Sequence, residues 1–364
     1  MLRKCKGCQE EKIISETIGY CADCIRENFN SIKEEIKEIH RKTRKNFNLP
    51  EEIPKTKGGV KCNICGNECI IGEGEKGYCG LRENINGKIY GGEIEKGKLS
   101  YYFDPLPTNC VGEWVCGATG RGYPEFSYRN GVEYGYKNLA VFYHACSFNC
   151  LFCQNYSFKE HTFEEKYISP EMVASVIDEK TSCICYFGGD PGPQILHSIR
   201  TSEIAIKNKK NKILRICWET NGNLNPRYLE RMIEISLKTG GCIKFDIKAY
   251  DENLNIALCG VSNKKTLENF KFASRFFKER KEPPLLIAST LLVPGYVDEK
   301  EVKKISEFIA DLNPEIPYSL LIFYPQFYLL DLPITPKETV FSCYEIARNS
   351  GLKNVHIGNL HLLK

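Results

Sequence analysis

The chain predicts an α/β fold: a partial (β/α)6 TIM-like barrel preceded by N-terminal cysteine-rich metal-binding modules. Three observations carry this. From Lys137 onward, short apolar runs alternate with helical stretches. Nineteen cysteines, many of them at fixed short spacings, are far more than a typical enzyme of 364 residues holds. Charged and glycine residues recur where the apolar runs end.

Residues 1–50 read as a four-cysteine knuckle and a helix. Cys5-x2-Cys8 and Cys21-x2-Cys24, separated by twelve residues, have the paired spacing of one tetrahedral metal. Thiolates suit zinc and a rubredoxin-like iron, with zinc preferred. Such a metal folds a module too small to have its own core. Ile32, Ile36 and Ile39 then recur at helical spacing among Lys and Glu. The basic run His40–Lys45 reads as a solvated helix end.

Residues 51–135 read as a second cysteine module and a Tyr/Gly-rich connector. Proline and glycine from Pro50 to Gly59 mark the linker. Cys62, Cys65, Cys69 and Cys79 form a four-thiolate set of uneven spacing, for which zinc and an auxiliary 4Fe–4S cluster stand equal. Cys110 and Cys116 are candidate ligands of a further site, in a stretch (110–135) that reads as an insertion.

Residues 136–364 carry the barrel. Runs rich in Ile, Val, Phe and Tyr at 138–145, 183–188, 213–219, 242–247, 285–293 and 318–324 are the strands. Helical stretches lie near 170–180, 194–207, 226–238, 264–280, 298–312 and 336–350. Ser169-Pro170 has the form of an N-cap followed by proline at the first helical position. Repeated βα units imply a parallel sheet with right-handed crossovers, and active groups belong at the C-terminal strand ends. A flat doubly wound sheet satisfies the same strand count.

Composition narrows the function. A net charge of +4 with interspersed signs argues against a dedicated nucleic-acid binder. No secretory h-region or apolar run of about 18 residues is present, so no transmembrane segment is expected. The cysteines therefore read as metal ligands in a reducing cytoplasm, with membrane-surface association only for a lipid substrate. Abundant Lys, Glu and Ile hint at a thermophilic, archaeal source.

The chemistry centres on Cys146, Cys150 and Cys153. A four-iron cubane needs four ligands; this loop offers three thiolates and leaves one iron free for a small molecule. A structural zinc site short of a ligand is the bland alternative. Gly188-Gly189-Asp190-Pro191 follows at a strand end, where paired glycines admit a ligand and a carboxylate can hold an ammonium; alone it is an ordinary turn. Lys244, Asp246 and Lys248 share one strand face, which is poor core material and suits a polar barrel mouth. Cys183, Cys185, Cys217, Cys242, Cys259 and Cys343 sit in apolar contexts and read chiefly as core packing. No Ser-His-Asp or Cys-His nucleophilic arrangement is discernible.

The C-x3-C-x2-C spacing resembles that of the radical S-adenosylmethionine (SAM) superfamily. The resemblance implies a 4Fe–4S cluster whose open iron is chelated by SAM. An external low-potential donor supplies the electron that releases a 5′-deoxyadenosyl radical. It also implies that Phe152 packs near the adenine, that Asn155 bonds to cluster or SAM, and that Gly188, Gly189 and Asp190 hold the SAM amino group. Glu219-Thr220-Asn221-Gly222 and Asp246-Ile247-Lys248 resemble the strand ends of glycyl-radical activating enzymes, typified by pyruvate formate-lyase activating enzyme. There the acids and Thr hold a monovalent cation beside SAM, and the Lys approaches its carboxylate. By that resemblance Asn221 also helps position SAM. Cys62–Cys69, Gly77–Asn84, Cys153-Gln154-Asn155, Val293-Pro294-Gly295 and Ile357-Gly358-Asn359 resemble the AmmeMemoRadiSam-system branch, over roughly residues 60–360. Tyr324-Pro325 departs from these families, which tend to place a His near SAM there.

The expected function is hydrogen abstraction from an unactivated C–H bond of an apolar small molecule or lipid, including C–C bond formation, because simple activases generally lack N-terminal knuckles. The alternative is an activase that installs a glycyl radical or other modification on a partner protein. A third reading, an Fe–S electron carrier or scaffold without SAM chemistry, is opposed by the Gly-Gly-Asp and Asp-x-Lys positions.

Overall fold

The computed structural model describes residues 2–208 and 212–363. A hairpin of β1 (Leu2–Lys4) and β2 (Glu11–Ile13) leads into α1 (Ala22–Lys45), which breaks at Asn28. Two small hairpins follow, β3 (Val60–Lys61) with β4 (Ile70–Ile71) and β5 (Glu83–Ile85) with β6 (Lys88–Tyr90). β7 (Leu99–Pro105) then pairs antiparallel with β8 (Lys137–Tyr143) and so begins the main sheet.

From β8 the chain alternates. The helices α2 (Phe158–His161) and α3 (Pro170–Ser175) precede β9 (Thr181–Gly188), and α4 (Ile195–Asn208) precedes β10 (Arg215–Thr220). Next come α5 (Pro226–Thr239), β11 (Ile243–Asp246), α6 (Glu252–Cys259), α7 (Lys264–Ser274) and β12 (Leu286–Leu292). The chain closes with α8 (Glu299–Leu312), β13 (Tyr318–Ile322), α9 (Lys337–Asn349) and β14 (Val355–Gly358). The eight-stranded sheet runs β7 to β14 in sequence order, parallel from β8 onward. Among the described residues β7 and β14 do not pair, so the barrel is open on one side.

The six expected strands are β8–β13. Their outward residues, among them Ile184, Ile216, Trp218 and Ile243, are buried in one core with the helices. Ser169 caps α3 as its sequence suggests, accepting from the Met172 N–H at 3.2 Å. The unexpected edge strands have an evident cause: β14 is only half buried along its length, and β7 exposes Tyr102 and Phe103. Neither carries the continuous apolar run that marks an interior strand.

The basic run at the end of α1 corrects an expectation, because it is not a solvated end. Arg44 is 1% exposed, stacks 3.5 Å from the Tyr78 ring centroid and donates to the Tyr78 and Pro50 carbonyls. Buried carbonyls and a π-face compensate the charge that burial would otherwise penalise. Near the start of α1, Arg26 pairs with Asp298 and Glu301 at the N-terminal end of α8 at 3.0 and 3.2 Å, docking the helix on the barrel.

Candidate active site

The 146–153 loop leaves the C-terminal end of β8 and is held from three sides. Asn149 and Leu151 donate their N–H groups to the Cys259 and Leu258 carbonyls at the end of α6, at 2.8 and 2.9 Å. Asn67 of the second cysteine module donates to the Ser147 carbonyl at 2.8 Å. The Asn149 amide donates to Thr43 Oγ1 and His40 Nδ1 of α1, both at 2.9 Å, and accepts from Lys159 Nζ at 2.5 Å. Saturated polar anchoring of this kind rigidifies a loop.

Cys146, Cys150 and Cys153 thus line one cavity of about 150 Å³. Phe152, Asn155, Gly188, Gly189, Asp190, Glu219, Thr220, Asn221, Asp246 and Lys248 line it too. The strand ends bring these together because β8–β11 are neighbours and parallel. Gly188 has φ +109°, and a Cβ there would meet the Tyr143 nitrogen at 2.6 Å; only glycine allows that approach. Tyr324 is half exposed and is not among the lining residues.

Asp190 is 3% exposed, and its carboxylate is occupied by its own chain. It accepts from the N–H groups of Asn221 (2.7 Å) and Gly192 (2.6 Å) and from Thr220 Oγ1 (3.1 Å). Burial nevertheless raises its pKa to about 6. Asn221 Nδ2 lies 3.6 Å from Cys146 Sγ, near enough to donate to a thiolate. Lys248 forms an ion pair with Asp246 and stands 5.6 Å over the Phe152 ring. Burial opposes its charge, but the Asp246 carboxylate keeps Lys248 protonated. Glu219 pairs with Lys244 at 3.1 Å.

This donor set fits a cluster and SAM. The Cys146 thiol is pushed up by burial and the Asp190 charge, Cys150 by its hydrogen bond with Cys259 and by burial, and Cys153 to about 11 by burial. A bound metal would hold them as thiolates. Asp246 Oδ1 is buried with no hydrogen-bond partner among the described residues, an acceptor open to a ligand.

Sequence reasoning missed Lys159, which is 2% exposed. Burial, and then the Arg44 charge, lower its pKa to about 8. Its setting, Ser157-Phe158-Lys159-Glu160, looks like a charged helix surface, so no local signal marks it.

At the N-terminus the ligand atoms of Cys5, Cys8, Cys21 and Cys24 all lie within 4.8 Å of one another. Although burial works against it, donation from the Cys8, Cys21 and Gly7 N–H groups lowers the Cys5 thiol, while burial raises Cys21 and Cys24; a bound metal would hold all four as thiolates. Cys62, Cys65, Cys69 and Cys79 are close enough for burial and one another's charge to raise Cys65. Their module docks on the loop after β10 through Gly66 N–H to the Asn223 carbonyl (3.3 Å) and Asn223 Nδ2 to Asn67 Oδ1 (2.9 Å).

Residues 140–309 match the family model of the radical SAM superfamily. An uncharacterized protein of Methanocaldococcus jannaschii is 30% identical over 308 residues, covering 83% of this chain and 81% of that protein. A second protein of that archaeon, provisionally named a glycyl-radical enzyme activating enzyme, is 28% identical over 186 residues, covering 50% of this chain and 66% of its own length. Among solved structures, a domain of pyruvate-formate lyase-activating enzyme from Bacteroides vulgatus is similar at 20% identity and a TM-score of 0.37, over 48% of this chain and 98% of that chain. Streptococcus suis SuiB bound to precursor peptide SuiA gives 13% identity and a TM-score of 0.44, over 60% and 47%.

Proposed function

We propose, from the premise that the chain belongs to the radical SAM superfamily, that the cavity on Cys146, Cys150 and Cys153 is where SAM is cleaved reductively and a C–H bond of an apolar small molecule or lipid is opened. The observation carrying this reading is the convergence of the three thiols with Asp190, Asn221, Asp246 and Lys248 on one cavity at the strand ends. When bound, the reduced 4Fe–4S cluster supplies the electron that turns SAM into methionine and a 5′-deoxyadenosyl radical.

The chain's own residues bind, orient and exclude water. Cys146, Cys150 and Cys153 would hold three irons, with Asn221 Nδ2 donating to the Cys146 sulfur. Lys248 would meet the SAM carboxylate, and the Gly188–Asp190 turn its amino group, with Asp190 fixing Thr220 and Asn221 beside it. Phe152 offers an apolar face to the adenine, and Asn155, which donates to the Gly188 carbonyl at 3.2 Å, ties the cysteine loop to the glycine turn. Glu219, Thr220 and the open Asp246 Oδ1 supply oxygen ligands for a monovalent cation. Cys5, Cys8, Cys21 and Cys24 would hold a structural zinc or iron. Cys62, Cys65, Cys69 and Cys79, docked against the cysteine loop, would hold zinc or an auxiliary cluster that exchanges electrons with the site. Such thiolate centres suit a reducing cytoplasm.

Exposed apolar side chains in the segments after β13 and β14, namely Tyr324, Leu330 and Leu360, are compatible with an apolar substrate although they lie outside the cavity lining. Similarity to the provisionally named activating enzyme favours a second reading, a glycyl residue of a partner protein. Anaerobic turnover with a perdeuterated isoprenoid lipid, or with a protein fraction labelled by deuterated glycine, separates the two. Deuterium in 5′-deoxyadenosine from the lipid supports the first reading; deuterium only from the protein replaces it with the second.

A further inference from the structure

A second cavity, about 300 Å³, lies deeper in the barrel, and Phe187 and Glu219 face both it and the SAM cavity. Six thiols line it: Cys183 and Cys185 of β9, Cys217 of β10, Cys242 before β11, and Cys110 and Cys116 of the connector. The strand thiols occupy inward positions that barrels of this kind usually fill with branched aliphatic side chains. Core filling accounts for Cys343, which is packed among apolar neighbours. Cys183 also packs with Leu106 and Ala118, and Cys242 with Val115 and Ile287, but unlike Cys343 they border an open cavity as well.

The cavity is also built electrostatically. Lys244, 4% exposed, donates to Cys110 Sγ at 2.9 Å and to Cys185 Sγ at 3.2 Å, so those sulfurs are no more than about 6 Å apart. Across the cavity, Cys217 Sγ accepts from the Cys242 N–H at 3.4 Å. Arg215 lines the floor. Each cation is shared with a carboxylate: Lys244 also pairs with Glu219, to which Cys110 Sγ donates at 3.3 Å, and Arg215 pairs with Glu133. The connector that brings Cys110 and Cys116 here is itself fastened: Trp114 Nε1 donates to Ser319 Oγ at 3.0 Å, and Ser319 Oγ to the Val111 carbonyl at 2.7 Å.

We infer that this cavity is a second metal–sulfur site, an iron–sulfur cluster held by Cys110 and Cys116 together with strand thiols from β9–β11, with Lys244 donating to its sulfurs. Among the described residues, only the N-terminal knuckle draws three or more metal-ligating side chains within 4.8 Å of one another, the spread suited to a single ion. The wider thiol ring in the barrel suits a polynuclear centre.

The test is anaerobic reconstitution of the full chain with ferrous iron and sulfide, comparing wild type with C110A/C116A. Both substitutions lie outside the strands. The variant should lose about four irons per chain and one set of reduced-cluster resonances, while the signal that shifts on SAM addition remains. Unchanged iron content and resonances overturn the site. In wild type, alkylation with mass spectrometry should find Cys110, Cys116 and Cys185, which are partly exposed, protected in the iron-loaded protein but modified after iron is chelated from it. Equal modification in both states overturns the site even if the variant fails to fold.

Discussion

Asn221 donates its backbone N–H to Asp190 Oδ2 at 2.7 Å, tying the turn after β9 to the turn after β10. Through that bond the residue beside Cys146 and the glycine pair facing the cavity move as one unit. Asp190→Asn would set an amide donor against one of the N–H groups of Asn221 or Gly192. The variant should lose about 1–3 kcal/mol in urea unfolding. SAM affinity should fall in equilibrium dialysis while iron content stays at the wild-type level.

Acid stability should depend on buried neutral histidines. His197 accepts from Tyr143 Oη at Nδ1 (2.8 Å) and donates from Nε2 to the Ile168 carbonyl (3.0 Å), and burial lowers its pKa to about 4. An unfolded histidine titrates near 6.5. Between those values the unfolded chain binds the extra proton, so this contribution is complete above about pH 6.5 and is lost as pH falls toward 4. Melting temperatures from pH 7.5 to 4.5 should decline, and His197→Gln should flatten that decline while lowering the plateau.

Glu133 and Arg215 fasten the connector to the barrel floor. They pair at 2.6 Å, 0% and 2% exposed, and Ser182 Oγ, Ser127 Oγ and the Tyr128 N–H also donate to the carboxylate. Arg215→Met would leave a buried carboxylate unpaired and should cost about 3–5 kcal/mol. Limited proteolysis should then cut between Leu106 and Tyr136 before any other segment.

The N-terminal metal should be structural. Cys24→Ser should remove one metal equivalent, measured by elemental analysis, and expose residues 2–21 to proteases. The signal that shifts on SAM addition should persist, since these thiols do not line the cavity of Cys146, Cys150 and Cys153.

Much of this was legible because the information is local. β8–β13 announce themselves by short apolar runs, and the cavity residues stand at their ends in compact motifs such as Gly188-Gly189-Asp190 and Asp246-Ile247-Lys248. What stayed hidden depends on partners distant in sequence. Arg44 reads as surface until Tyr78 lies over it, and Lys159 until Asn149 accepts from it. Cys110 and Cys116 gave no sign of meeting Cys185 and Cys242, because the connector's path beneath the barrel leaves no periodic trace. β7 and β14 were missed because an edge strand need not be apolar on both faces.

The most direct measurement is anaerobic SAM cleavage by iron- and sulfide-reconstituted protein with a low-potential reductant. The account predicts 5′-deoxyadenosine and methionine in equal amounts from wild type, and neither from C146A/C150A/C153A, whose far-ultraviolet circular dichroism and N-terminal metal should match wild type. Cleavage by the triple variant at the wild-type rate, or none by a wild type carrying a full cluster, would contradict it.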